Sequence, residues 1–145
     1  MTNYTPNTWT SGDIVTKAKV DRLEAAVASH THAAVDVVPG GAVTLTDAAT
    51  VATNAALGNY FRLTTAVNRT LGAPTNAADG MVATWEIIAT AGLTITLITG
   101  SSGAFAFGTT ITALSATTSG KRDLITARYS SSAARWLVTE YVKGF

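Results

Sequence analysis

Short stretches of alternating apolar and polar residues follow one another through most of the chain, and glycines stand between them. Leu93, Ile95 and Leu97 alternate with threonines, a pattern typical of a strand with one buried and one polar face. Glycine allows the intervening turns to adopt positive φ at little steric cost. Because the stretches recur at the spacing of roughly 8–12 residues seen in sandwiches and barrels, we predict a mainly β protein with an antiparallel β-sandwich or jelly-roll-like domain over residues 37–145.

Seven strands are predicted from this alternation. They cover residues 42–46, 59–65, 81–89, 93–98, 104–107, 123–129 and 135–142. The segment 47–57 is ambiguous, because its alanines permit a helix while its threonines favour a turn and a short strand.

A single helix is predicted before the β-domain, over residues 11–32, where no glycine or proline interrupts a run rich in Ala, Lys, Arg, Glu and Leu from Thr16 onward. Val20, Leu23 and Val27 follow a 3, 4 spacing and form one narrow apolar stripe. A helix of this length is marginal alone, so its stripe needs a partner. We predict that copies of the chain associate through it, with packing on the chain's own β-domain as the alternative.

The first ten residues read as a polar arm that carries two aromatic side chains. Pro6 favours an extended backbone at the residue before it, and Tyr4 and Trp9 are large groups on a segment that cannot form a core. We expect this arm to dock on a partner, unless Trp9 packs on the start of the helix. Arm and helix together form the predicted attachment and trimerisation module, residues 1–36.

Composition excludes several classes of function. Charged residues make up 13% of the chain and the formal net charge is +1, so no strong field exists for nucleic acid or a membrane surface. No apolar run approaches the roughly 18 residues of a membrane span. Cysteine is absent, which rules out disulfides and thiolate chemistry. The N-terminus lacks the regions of a secretory signal, and we expect the protein to be made and assembled in a cytoplasm.

Catalytic motifs are not found. A serine nucleophile needs a nearby base, but the chain has no Gly-x-Ser-x-Gly elbow and its two histidines lie together at the end of the predicted helix. We therefore predict that the protein is not an enzyme and uses no cofactor. His30 and His32 are weak candidates for a metal site, since residues i and i+2 of an extended segment face the same side. The alternative is that His30 only stabilises the helix C-terminus while His32 is solvated.

The tryptophans of the β-domain are predicted to be structural. Trp85 shares a strand face with apolar neighbours, and Trp136 is expected to share its face with Val138 and Val142. The competing interpretation is a carbohydrate-binding module that uses Trp85, Trp136, Tyr60 or Tyr141 as an exposed stacking platform.

Three stretches carry a family resemblance. YTPNTWTSGDIVTKAKVDRLEAAV is similar to the N-terminal arm and helix of many phage fibre, minor tail and head-decoration proteins. The stretches VTLTDAATVATNAALGNYFRLTTAVNRTLGAPTNAADGMVATWEI and GKRDLITARYSSSAARWLVTEYVKGF resemble a β-domain at the ends of such proteins. The chain thus resembles a small virion structural protein of tailed phages infecting actinobacteria.

This resemblance implies a homotrimer that sits on the virion. A long fibrous shaft is missing, which favours a capsid decoration or head-fibre protein bound to the major capsid protein at the capsid surface. A tail-tip, baseplate or minor tail protein is the alternative from the same class. Host-surface carbohydrate is a further possible partner under this resemblance.

Overall fold

The structure is a computed structural model that describes residues 41–145 and, before them, Val20 alone. The chain divides into two compact units, Met1–Ala33 and Ala34–Phe145. The strands all belong to the second unit. The predicted helix over 11–32 lies outside the described residues apart from Val20, so the helix and the predicted boundary between residues 36 and 37 stay predictions.

Residues 41–145 contain nine strands and one short 3₁₀ helix. The strands are β1 (Val43–Thr44), β2 (Thr50–Val51), β3 (Tyr60–Thr65), β4 (Arg69–Leu71), β5 (Val82–Ala89), β6 (Ile95–Leu97), β7 (Phe105–Ala106), β8 (Arg122–Ser130) and β9 (Arg135–Val142), and the 3₁₀ helix is Ala55–Leu57.

The first six strands form three stacked turns of a parallel coil. β1, β3 and β5 pair side by side and parallel in one sheet, and β2, β4 and β6 do the same in a second sheet. Each pass of the chain therefore contributes one strand to each sheet. The turns stack in register, so that Phe61 lies beside Trp85 and Thr70 beside Thr96. Such stacking lets each turn bury its apolar face against the next turn.

The last strands complete the larger sheet. β8 pairs antiparallel with β5, β9 pairs antiparallel with β8, and β7 lies parallel to β9 at the edge. The result is a mixed six-stranded sheet in the order β1-β3-β5-β8-β9-β7 beside the parallel three-stranded sheet β2-β4-β6.

The mainly β class is confirmed, and a jelly roll is not confirmed. Antiparallel pairing is wrong for the contacts among the first six strands, which are all parallel. Alternating hydrophobicity identifies which face of a strand is buried, and it carries no information on the direction of the neighbouring strand. Here the connection after β3 turns the chain into the second sheet. The next strand of the first sheet, β5, consequently arrives after a full turn and runs in the same direction as β3.

Aromatic rings fill the centre of the core. Trp85 has no exposed surface and stacks on Phe61 with ring centroids 5.7 Å apart. Phe105 and Trp136 meet the same indole edge-on, at 5.2 and 5.5 Å. These are favoured aromatic geometries. The contacts join residues of β3, β5, β7 and β9, so the cluster ties the parallel coil to the C-terminal hairpin.

A β-bulge in β9 corrects one predicted face. Thr126 pairs with Glu140 while Ala127 pairs with Val138, so Thr139 is left without a register partner. An extra residue reverses the inside-outside alternation beyond it. Tyr141 therefore packs against the core. The prediction that Val142 shares the buried face of Trp136 is wrong for this reason.

Candidate functional site

The six-stranded sheet is the larger of the two sheets, and one of its faces points away from the core. Because the buried residues of β3, β5, β8 and β9 point into the core, the residues between them point away from it. We call this surface the outer face and define it by Tyr60, Arg62, Thr64, Val82, Thr84, Glu86, Ile88, Arg122, Leu124, Thr126, Arg128, Leu137, Glu140 and Val142.

A three-residue ion cluster lies at the centre of the outer face. Arg62 Nε donates to Glu86 Oε2 at 2.6 Å, and Arg122 Nη1 donates to Glu86 Oε1 at 2.8 Å. The two arginines come from β3 and β8, on either side of Glu86 in β5. Only 4% of Glu86 is exposed. The cluster therefore satisfies both oxygens of a buried carboxylate and ties three neighbouring strands together.

The charge on Glu86 is held by its partners. Burial raises the pKa of this carboxyl, but the hydrogen bonds from Arg62 and Arg122 outweigh burial and bring the pKa below its usual value. The ionised form is consequently favoured in the folded protein. Such a group contributes stability above the pKa of the unfolded chain, about 4.3, and that stability is lost as the pH falls through the lower folded-state pKa.

We expect Glu86→Gln to lower the free energy of unfolding by about 1–3 kcal/mol at pH 7, because an amide cannot accept two charge-assisted hydrogen bonds as well as a carboxylate. The difference from the unsubstituted protein should shrink as the pH falls below about 4.3 and through the lower folded-state pKa of Glu86, because the carboxyl then takes up a proton. Urea unfolding at pH 7 and pH 3 measures it. The matched control is Glu140→Gln on the same face. A loss for Glu86→Gln that is equal at both pH values would contradict the assigned role of the charge.

The outer face also exposes aliphatic side chains in one cross-strand row. Val82 is 47% and Leu137 40% exposed, and they flank Arg128 in the strand register. Beside them, the hydroxyls of Thr84 and Thr126 lie 3.2 Å apart and share a hydrogen bond. The outer face thus combines exposed aliphatic groups and threonines with a cluster of two arginines around one glutamate. Such a mixture of apolar area and arginine is common in protein-protein interfaces.

A second buried carboxylate organises the C-terminal end. Asp123 is 2% exposed and accepts hydrogen bonds from Thr117 Oγ1 at 2.6 Å, Tyr141 Oη at 3.1 Å and the Gly144 amide at 3.1 Å. Tyr141 Oη also lies 2.9 Å from the carbonyl oxygen of Ser115, so its single proton is shared between these two acceptors. Asp123 therefore connects β8, the end of β9 and the loop before β8. Both of its carboxylate oxygens accept hydrogen bonds from within the fold.

Trp85 and Trp136 do not form an exposed platform on which a sugar could stack. Trp85 and Trp136 both have no exposed surface, which confirms their predicted structural role. Trp85 Nε1 donates to Thr53 at 3.1 Å, and Trp136 Nε1 has no partner among the described residues. Tyr60 and Tyr141 are half-buried and lie on opposite faces of the sheet.

The residues predicted for attachment, trimerisation and metal binding lie outside the described region. This applies to Tyr4, Pro6, Trp9, Leu23, Val27, His30 and His32. Val20 is described and is 37% exposed. These assignments therefore stay predictions. Within residues 41–145, no three His, Cys, Asp or Glu residues come together as a metal site. Among the described helical residues, none belongs to a helix that could cross a membrane.

Sequence analysis missed both carboxylate clusters. The alternation of side chains along a strand does place Glu86 on the outward side of β5, opposite Trp85 and Ile87. What it cannot supply is the pairing of β5 with both β3 and β8, which brings the two arginines to that carboxylate. A charged residue at the centre of an otherwise apolar strand is the one signal in the sequence that pointed to an ion cluster.

Comparison with known proteins gives no relative. No family model, no curated protein and no solved structure matches the chain.

Proposed function

We propose that the protein is a structural component of a tailed-phage virion, a homotrimer that decorates the capsid surface as a head-fibre protein. In this proposal the protein is not an enzyme, and its partners are its own copies and the major capsid protein. The virion assignment is supported by the family resemblance of the three quoted stretches. The observation that supports an assembly role most directly is the outer face, which exposes Val82 and Leu137 and carries a buried carboxylate that is paired on both oxygens.

The energetics of such a role are those of surface burial. Apolar area buried in a contact contributes about 25 cal/mol per Å² before ordering costs are deducted. Stable interfaces bury roughly 1,200–2,000 Å² in total. Threonine-rich faces carry no charge, so covering them costs less desolvation free energy than covering charged side chains would. The protein would act by adhesion, and the capsid would gain stability from contacts that bridge neighbouring coat subunits.

A carbohydrate-binding module is the second candidate function. The burial of Trp85 and Trp136 disfavours a sugar site in which those two rings stack on the ligand. A tail-tip, baseplate or minor tail position is equally compatible with a compact trimeric body. Host-surface carbohydrate remains a proposed partner only under that tail assignment.

The experiment is a truncation that starts at Ser11, compared with the full chain in light scattering and in binding to undecorated phage capsids. We expect both proteins to have the mass of a trimer, because the Val20, Leu23 and Val27 stripe is kept. Only the full chain should bind capsids, because the aromatic residues of the arm are lost in the truncation. Leu23→Asp is the matched variant and should give monomers, since it puts an unpaired charge into the stripe. A full chain that is monomeric and binds no capsid would overturn the proposal.

A further inference from the structure

One edge of the three-stranded sheet is left open in the middle. Along this edge of β6, Leu93 exchanges backbone hydrogen bonds with Thr117 at 3.2 and 2.8 Å, and the carbonyl of Ile98 accepts from the Phe105 amide at 3.0 Å. Between those two points, the backbone groups of Ile95 and Leu97 face away from β4 and have no hydrogen-bond partner within residues 41–145. The gap thus offers two amide donors and two carbonyl acceptors in alternation.

A groove runs along this gap because the chain leaves the strand edge and returns to it. After pairing at Phe105 the backbone moves away through Phe107, and it comes back to pair at Thr117. The space between has a volume of about 330 Å³. It is lined by Thr94, Ile95, Thr96, Leu97, Thr99, Phe107, Thr112, Ala113 and Leu114. None of these residues carries a charge.

β6 is short, but it carries none of the other devices that usually protect a strand edge. Natural edges are shortened, or carry lysine, proline or a bulge that prevents pairing with another chain. The other edge strands β1, β2 and β7 have two residues each, while β6 has three and contains only Ile95, Thr96 and Leu97. An edge left open in this way is suited to accept one more strand.

We propose that this groove binds an uncharged, extended peptide segment of a partner protein, which adds a short strand to the free edge of β6. The backbone of Ile95 and Leu97 supplies the hydrogen bonds. The far wall, formed by Phe107 and Leu114, contacts every second side chain of the bound segment. The inference stands apart from the proposed virion role, because it depends only on the open edge and the uncharged lining.

The groove favours a peptide over a neutral oligosaccharide for a geometric reason. Donors and acceptors repeat along a strand edge with the period of an extended backbone, about 6.8 Å for two residues. Threonine hydroxyls could serve either ligand, but the paired donor and acceptor of each edge residue match the backbone of another strand. The absence of charge in the lining disfavours acidic or basic segments, since burying an unpaired charge is costly.

The test uses the full chain and the peptide acetyl-Thr-Val-Thr-Val-Thr-amide. We expect weak binding, with a Kd on the order of 0.1–1 mM, and slower hydrogen exchange at the amides of Ile95 and Leu97 when the peptide is present. Two N-methylated versions of the peptide sharpen the result. Methylation at alternate residues removes either the amides that face β6 or those that face away, so one version should lose binding and the other should keep it.

Ala113→Trp fills the groove from its exposed wall and should weaken peptide binding by at least about tenfold. Its control is Ala133→Trp, an exposed alanine in the turn between β8 and β9, which should bind as the unsubstituted chain does. Equal binding of both methylated peptides would overturn the proposal, as would unchanged binding by Ala113→Trp. Absence of peptide binding at millimolar concentration, or binding of maltohexaose in the groove without peptide binding, would overturn it too.

Discussion

Trp85→Ala is expected to lower the free energy of unfolding by about 3–5 kcal/mol, the range for removal of a large buried side chain. The expectation comes from the position of this indole, which has no exposed surface and contacts the rings of Phe61, Phe105 and Trp136. The described domain is small, so the loss should reduce the melting temperature by more than about 10 °C. Calorimetry or thermal circular dichroism measures the change.

Phe145→Ala is the matched control for this loss, because Phe145 is an aromatic residue that is 62% exposed. Its effect should stay within about 0.5 kcal/mol, as for other surface substitutions. Polysaccharide binding should be measured on the same samples. A Trp85→Ala variant that melts as the unsubstituted protein does, and that loses a sugar ligand, would contradict the structural role and revive the carbohydrate-binding alternative.

Strand positions could be predicted from the sequence where the alternation is long. The segments 81–89 and 93–98 contain β5 and β6, and the segment 59–65 contains β3. β4 was missed because Arg69–Leu71 offers only three residues, too few for a period of two to appear. β2 lies in the segment 47–57 that the sequence left ambiguous, where Thr50–Val51 and the 3₁₀ turn after it share an alanine-rich stretch.

Strand pairing could not be predicted in the same way. Parallel and antiparallel neighbours need the same buried face, so Phe61 and Trp85 look alike in sequence whichever direction their strands take. The deciding information is whether each connection reverses the chain or turns it into another sheet. That choice depends on loop geometry at several positions at once, and single residues such as glycine do not specify it.

Both candidate sites depend on the strand pairing, which the sequence did not predict. Glu86 meets Arg62 and Arg122 only because β5 lies between β3 and β8. The open edge of β6 exists only because the coil ends after its third turn and the chain leaves the edge before Thr117. Sequence patterns identified which residues are buried, whereas the contacts between elements created the ion cluster and the groove.

Asp123→Ala is expected to lower the free energy of unfolding by about 2–3 kcal/mol, because it leaves the buried Thr117 hydroxyl without its acceptor. It also removes one of two acceptors from the Tyr141 hydroxyl and from the Gly144 amide, which keep the carbonyls of Ser115 and Arg122. The effect should be partly local. Hydrogen exchange at the Thr117 amide, which donates to the carbonyl of Leu93 at 2.8 Å, should accelerate, since its segment loses the carboxylate that fixes it.

Asp79→Ala is the control for the loss at Asp123, since Asp79 is an exposed carboxylate that accepts from the Ser131 amide at 2.8 Å. Removal of an exposed acceptor lets water replace it, and the cost should stay below about 1 kcal/mol. The end of the groove depends on Thr117, so Asp123→Ala should also weaken peptide binding at β6, while Asp79→Ala should leave it unchanged. If the two variants lost equal stability and exchanged alike at Thr117, Asp123 would not be the group that holds this end of the fold together.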